Sequence, residues 1–151
     1  MPDYRGHLAG GLFFGVMGLV GVILLGWMAF DPLMAAGLLG FCLLGALFPD
    51  VDTNSKGQNL YYAVFVLVDL GLIIKGMYVW AAWFGLFSML PAVGSHRGWT
   101  HTWWAMLLVP LPIVVIPFFM QTPGLAQRFA PFYAAFVLGY FSHLALDGEF
   151  R

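Results

Sequence analysis

Charge is what this chain has least of. Six basic and seven acidic side chains serve 151 residues, 9% charged against 62% hydrophobic. Water-soluble domains carry about a quarter of their residues as charges, so a soluble globular fold is excluded. With a mean hydropathy of +0.88, lipid is the solvent for most of the chain. Cysteine is nearly absent as well. The single Cys42 rules out an internal disulfide and a thiolate cluster, and its apolar run marks a buried, inert thiol. The basic residues are scattered singly under a formal net charge of -1, which leaves no footprint for nucleic acid. The first apolar stretch lacks the basic lead and small-residue cleavage pattern of a signal peptide and reads as a retained helix. The length permits one integral membrane domain, residues 1–151.

What is present is a succession of apolar segments punctuated by proline, glycine and a few polar residues. Residues 7–30 are long enough to cross a bilayer at about 1.5 Å per residue. Gly11, Gly15 and Gly18 fall at helix-face spacings that let another helix approach closely. Asp31-Pro32 makes a turn, and residues 33–48 return. Residues 60–91 are too long for one simple crossing. Two short helices, 60–74 and 77–90, hinged at Lys75-Gly76, are expected, with a re-entrant pair as the alternative; Asp69 is read as paired with Lys75 or as part of a polar seam. Residues 101–120 cross again, kinked or broken by Pro110, Pro112 and Pro117, and 128–147 cross back. The expected fold is all-α, a polytopic transmembrane bundle of about six short membrane segments in three hairpins, with both termini on one side.

That parity puts His7, Asp50, Asp52, His96, His101, His143 and Asp147 on one membrane face. His143 and Asp147 are four apart and share a helix face; a carboxylate buried there is costly unless paired or bound to a cation. His96 and His101 straddle a loop-to-helix junction, with Ser95 or Thr100 as the expected cap. Asp50 and Asp52 are spaced to share one cation or bridge two. Imidazoles and carboxylates without thiolate suit zinc, manganese, iron or magnesium. Seven candidate ligands exceed one tetrahedron, so the expectation is two divalent ions, or one ion with acid-base residues. Arg97 offers a planar fork for phosphate oxygens. Trp99, Trp103 and Trp104 form an interfacial belt beside the motif. Arg5, Lys56, Arg97 and Arg151 on the motif side, against Lys75 and Arg128 on the other, place the site in the cytoplasm by the positive-inside rule.

These residues carry a resemblance. His7 followed by glycines, the run Gly45-Ala46-Leu47-Phe48-Pro49-Asp50-Val51-Asp52, the motif His96-Arg97-Gly98-Trp99-Thr100-His101, and the run Gly139-Tyr140-Phe141-Ser142-His143-Leu144-Ala145-Leu146-Asp147 together resemble the YdjM-like (DUF457) family of small prokaryotic inner-membrane proteins. The resemblance implies a multi-pass, metal-dependent hydrolase, with zinc or a similar ion and a remote similarity to zinc-dependent phospholipase C. The chain departs from the family pattern at Thr53-Asn54, where a further histidine is often found, and at Gly148-Glu149, where Glu149 is a candidate replacement ligand. The expected reaction is attack of a metal-activated water on a phosphoester of a membrane lipid or lipid-linked substrate. Arg97 steadies the developing charge, and Asp52 or a histidine such as His101 takes the proton. The rival readings are a divalent-cation transporter, which needs polar side chains through the membrane, and a structural or regulatory protein whose helix ends are stapled by metal. The oligomeric state is open.

Overall fold

The computed structural model describes residues 3–52, 56–90, 99–119 and 124–148. All regular structure among them is helical. Helix α1 (Tyr4–Leu24) starts at Asp3, whose side chain accepts from the Gly6 amide. Helix α2 (Pro32–Leu47) starts at Asp31 in the same manner, its carboxylate accepting from Leu33 N at 3.1 Å with Pro32 inside the first turn. This cap satisfies a donor that the first turn leaves orphaned. Asp31→Ala is expected to lower thermal stability by about 1 kcal/mol, read as a shift in unfolding temperature in detergent.

A 3-10 turn, Phe48–Asp52, follows α2, then α3 (Lys56–Ile74), α4 (Tyr78–Ser88), a short 3-10 turn Trp99–His101, α5 (Trp103–Leu108), α6 (Pro112–Phe119) and α7 (Leu125–Asp147). Among the described residues, four stretches are long and apolar enough to cross a membrane: Tyr4–Leu24, Pro32–Asp52, Lys56–Ile74 and Leu125–Asp147. The hinge at Lys75-Gly76 is present, with Gly76 at φ 73, a left-handed conformation open to glycine. The segment expected over 101–120 is two helices, because Pro110 and Pro112 interrupt it between Leu108 and Pro112. Helix α7 begins at Leu125, three residues before the expected start.

The framework is α2 packed on α7, with α1 laid across both. Two glycines set the α2–α7 distance: a Cβ on Gly45 would run into the Phe136 carbonyl, and one on Gly139 into the Cys42 carbonyl. Backbone contact of this kind is how small residues join helices in lipid, where apolar side chains gain nothing by leaving the solvent. Helix α1 approaches through Gly11 and Gly15, facing Ala46 and Cys42, and the Cys42 thiol donates to the Gly11 carbonyl at 3.3 Å. The outward faces carry Leu12, Phe13, Met17, Val66, Leu67 and Ile74, all exposed; such a surface belongs in hydrocarbon.

Beneath the end of the bundle where α2 and α7 terminate lies an aromatic layer of Phe48, Tyr61, Phe65, Phe136 and Tyr140, all buried. Helix α3 packs on α4, and α6 on α7. Between these two pairs is a cavity of about 490 Å³ whose lining includes Phe65, Trp80, Phe84, Ile113, Ile116 and Phe129 and holds no charged residue. Asp69 makes no ion pair with Lys75: its Oδ1 is buried without a hydrogen-bond partner, and its carboxylate faces Gly85 of α4. Six residues at about 100° each put the two side chains about 240° apart around the helix.

Candidate metal centre

The sequence builds the site from four separate elements that end at one level. His7 is in the first turns of α1, Asp50 is in the 3-10 turn that continues α2, His101 closes the 3-10 turn before α5, and His143 and Asp147 occupy the last turns of α7. The Asp50 turn is fixed by buried Pro49 and by Gln58 of α3, whose side-chain nitrogen donates to the Val51 carbonyl at 2.9 Å. The His101 turn is fixed by Thr102, which caps α5 by accepting from Ala105 N and donates to the Trp99 carbonyl at 2.6 Å. Thr102 therefore takes the capping role expected of Ser95 or Thr100.

All three imidazoles present Nε2 to the two carboxylates. His7 lies 3.8 Å from Asp50 Oδ2 and 3.5 Å from Asp147 Oδ1. His101 lies 3.6 Å from Asp50 Oδ1 and 4.0 Å from Asp147 Oδ2. His143 lies 3.7 Å from Asp50 Oδ1 and 3.3 Å from Asp147 Oδ2. Most of these separations exceed hydrogen-bond length. They start at and run a few tenths of an ångström beyond the spacing of about 3.3–3.6 Å between neighbouring donors that bonds of about 2.0–2.2 Å impose in a tetrahedron.

The orientation of His143 is a second test of fit. Its Nδ1 lies 2.7 Å from the Ala46 carbonyl. A carbonyl only accepts, so Nδ1 carries the proton, and in the neutral ring Nε2 then keeps its lone pair. That Nε2 is buried, has no hydrogen-bond partner and is aimed at the carboxylates. A second support of this kind is common behind metal-binding histidines. His101 has a similar one: Nδ1 lies 3.2 Å from the Thr100 hydroxyl, and the Tyr140 hydroxyl donates to the Thr100 carbonyl. Among the described residues two groups of candidate metal ligands result, His7–Asp50–His143 and His101–His143–Asp147. The residues present fit a divalent cation, which would also offset two carboxylates gathered in one mostly buried place.

Asp52, two residues beyond Asp50, makes no ion pair within 4.0 Å to His7, His101 or His143, whose carboxylate partners among the described residues are Asp50 and Asp147. His96 and Arg97, like Thr53, Asn54 and Glu149, lie outside the described residues. Sequence reasoning assigned no role to Tyr140 or to the Ala46 carbonyl. Tyr140 was open to discovery, being one turn from His143 on α7; a main-chain carbonyl leaves no signal. Asp50 is the open side of the cluster: its side chain keeps 29% exposure, against 4% or less for the other four.

A bundle of apolar helices carrying three buried histidines and two carboxylates at one end defines a polytopic membrane protein with a candidate metal centre. The match to a family model agrees. The chain belongs to the family described as YdjM inner membrane protein, whose model covers residues 2–148. No curated protein and no solved structure matches the chain.

Proposed function

We propose that the protein is a metal-dependent hydrolase of the prokaryotic inner membrane that cleaves a phosphoester of a lipid or lipid-linked substrate, with its site on the cytoplasmic face. The observation that carries this reading is the convergence of three Nε2 atoms on two carboxylates at the bundle end, with the lone pair of His143 oriented and buried. His7, Asp50, His101, His143 and Asp147 are the proposed ligands. Zinc suits this donor set, as do manganese, iron or magnesium. When bound, such an ion supplies Lewis-acid charge and lowers the pKa of water.

The chain's own residues supply the rest. Substrate enters on the side of Asp50, the most exposed of the described cluster residues. Arg97 enters from the sequence alone, as the group that holds the phosphoryl oxygens and steadies their charge. Asp52 or His101, the two candidates that the sequence offers, accepts the proton of the attacking water and returns it to the departing alcohol as the phosphorus–oxygen bond breaks. The aromatic layer below the cluster supports hydrolysis over cation transport. Phe48, Phe65 and Phe136 are buried there and give an ion no oxygen or nitrogen ligand, and the Tyr140 hydroxyl is taken up by the Thr100 carbonyl.

The apolar cavity between the α3–α4 and α6–α7 pairs supports a substrate with a hydrocarbon tail. Filling it by Ile116→Trp is expected to raise KM for a long-chain phosphoester about tenfold, the equivalent of about 1.4 kcal/mol. A short-chain, water-soluble analogue keeps its KM. Equal effects on both, measured in proteoliposomes, would remove the tail from that cavity. The reading as a whole is tested by turnover of a panel of lipid phosphoesters, wild type beside Asp147→Asn; absence of turnover on every member with metal supplied overturns it.

A further inference from the structure

Five donors of two kinds fit one ion or two, and the planes of the rings distinguish these. We infer that the cluster is a two-ion centre in which His7 serves one ion, His101 and His143 serve the other, and Asp50 and Asp147 bridge the pair. The inference rests on the metal half of the proposed function and is independent of its substrate.

An imidazole binds a cation through a lone pair that lies in the plane of its ring. The rings of His7 and His143 are stacked, with centroids 3.7 Å apart and planes 13° apart. Planes so nearly parallel do not meet near the nitrogens. An ion shared by both would sit about 1.8 Å out of each plane, nearly the whole of a bond of about 2.0–2.1 Å. Distance alone allows His7 and His143 to join one site; ring orientation does not. His101 and His143 behave differently, since their planes cross at 70° with centroids 5.5 Å apart, and in-plane lone pairs from two such rings can converge.

The carboxylates divide along the same line. Asp50 turns Oδ2 toward His7 and Oδ1 toward His101 and His143. Asp147 turns Oδ1 toward His7 and Oδ2 toward His101 and His143. Each carboxylate thus offers one oxygen to each side. On the His143 side, two nitrogens and two oxygens complete a tetrahedron. On the His7 side the described residues give one nitrogen and two oxygens, the three-ligand pattern of a catalytic ion.

The test uses full-length protein in nanodiscs, loaded with zinc or with manganese. Elemental analysis is expected to give two ions per chain for wild type and one for His7→Ala. Electron paramagnetic resonance of the manganese form is expected to show a spin-coupled pair in wild type and an isolated ion in His7→Ala. One ion per chain at saturating metal, or an uncoupled signal from fully loaded wild type, overturns the inference, and neither measurement depends on a variant that folds. One ion with turnover retained overturns the two-ion centre and leaves the hydrolase standing; two coupled ions without turnover on any phosphoester do the reverse.

Discussion

Replacing His143 by alanine is expected to release the ion that it holds and to lower kcat/KM at least about 1,000-fold, which is about 4 kcal/mol of transition-state stabilisation. The size of the effect follows from position. His143 is completely buried, presents Nε2 to both carboxylates at 3.7 and 3.3 Å, and has its Nδ1 engaged by the Ala46 carbonyl. Thr100→Val is the milder companion. It removes the hydroxyl behind His101 Nδ1 while every donor stays in place, so metal affinity is expected to fall about 10- to 100-fold. Elemental analysis and a metal titration check both, with circular dichroism as the control for folding. A His143→Ala protein that keeps its metal and its turnover contradicts the assignment.

Gly139→Ala is expected to have the largest effect on stability. The added methyl would overlap the Cys42 carbonyl, and main chain cannot swing aside as a side-chain tip can. The α2–α7 crossing must open, at a cost of at least about 1–3 kcal/mol. The site is damaged by the same movement, because His143 one turn on reaches Ala46 across that crossing. Gly40→Ala is the matched control. Nothing lies within 4 Å of a Cβ built there, and a helix interior gains about 0.5–1 kcal/mol when glycine becomes alanine. Unfolding temperatures in detergent should therefore move in opposite directions. A Gly139→Ala protein as stable as wild type would show that close packing of α2 on α7 is not what positions the cluster.

Much of this was legible in the sequence because the chain is so apolar. Where polar side chains are costly, the few that occur at segment ends stand out, and His7, Asp50, His101, His143 and Asp147 are brought together in space. The i, i+4 spacing of His143 and Asp147 on one helix is a local rule that needs no fold. The two carboxylates of Asp50-Val51-Asp52 were not separable by such a rule. They sit in a 3-10 turn, where about three residues per turn send positions two apart in different directions, and only the packing of that turn decides which one meets the histidines. Pro110 and Pro112 announced an interruption, but whether a helix kinks or ends there depends on its neighbours. Ring orientation, on which the number of ions turns, is set by contacts among four chain segments and has no signature in sequence.

The central claim is that the histidine–aspartate cluster is a metal-dependent hydrolytic centre. Its most direct test is hydrolysis of lipid phosphoesters by the purified protein in proteoliposomes, before chelation, after chelation, and after return of zinc or manganese. The account predicts turnover that chelation abolishes and metal restores, in wild type and not in Asp147→Asn. Turnover indifferent to chelation, or none at any stage from a folded protein that binds metal, would contradict it.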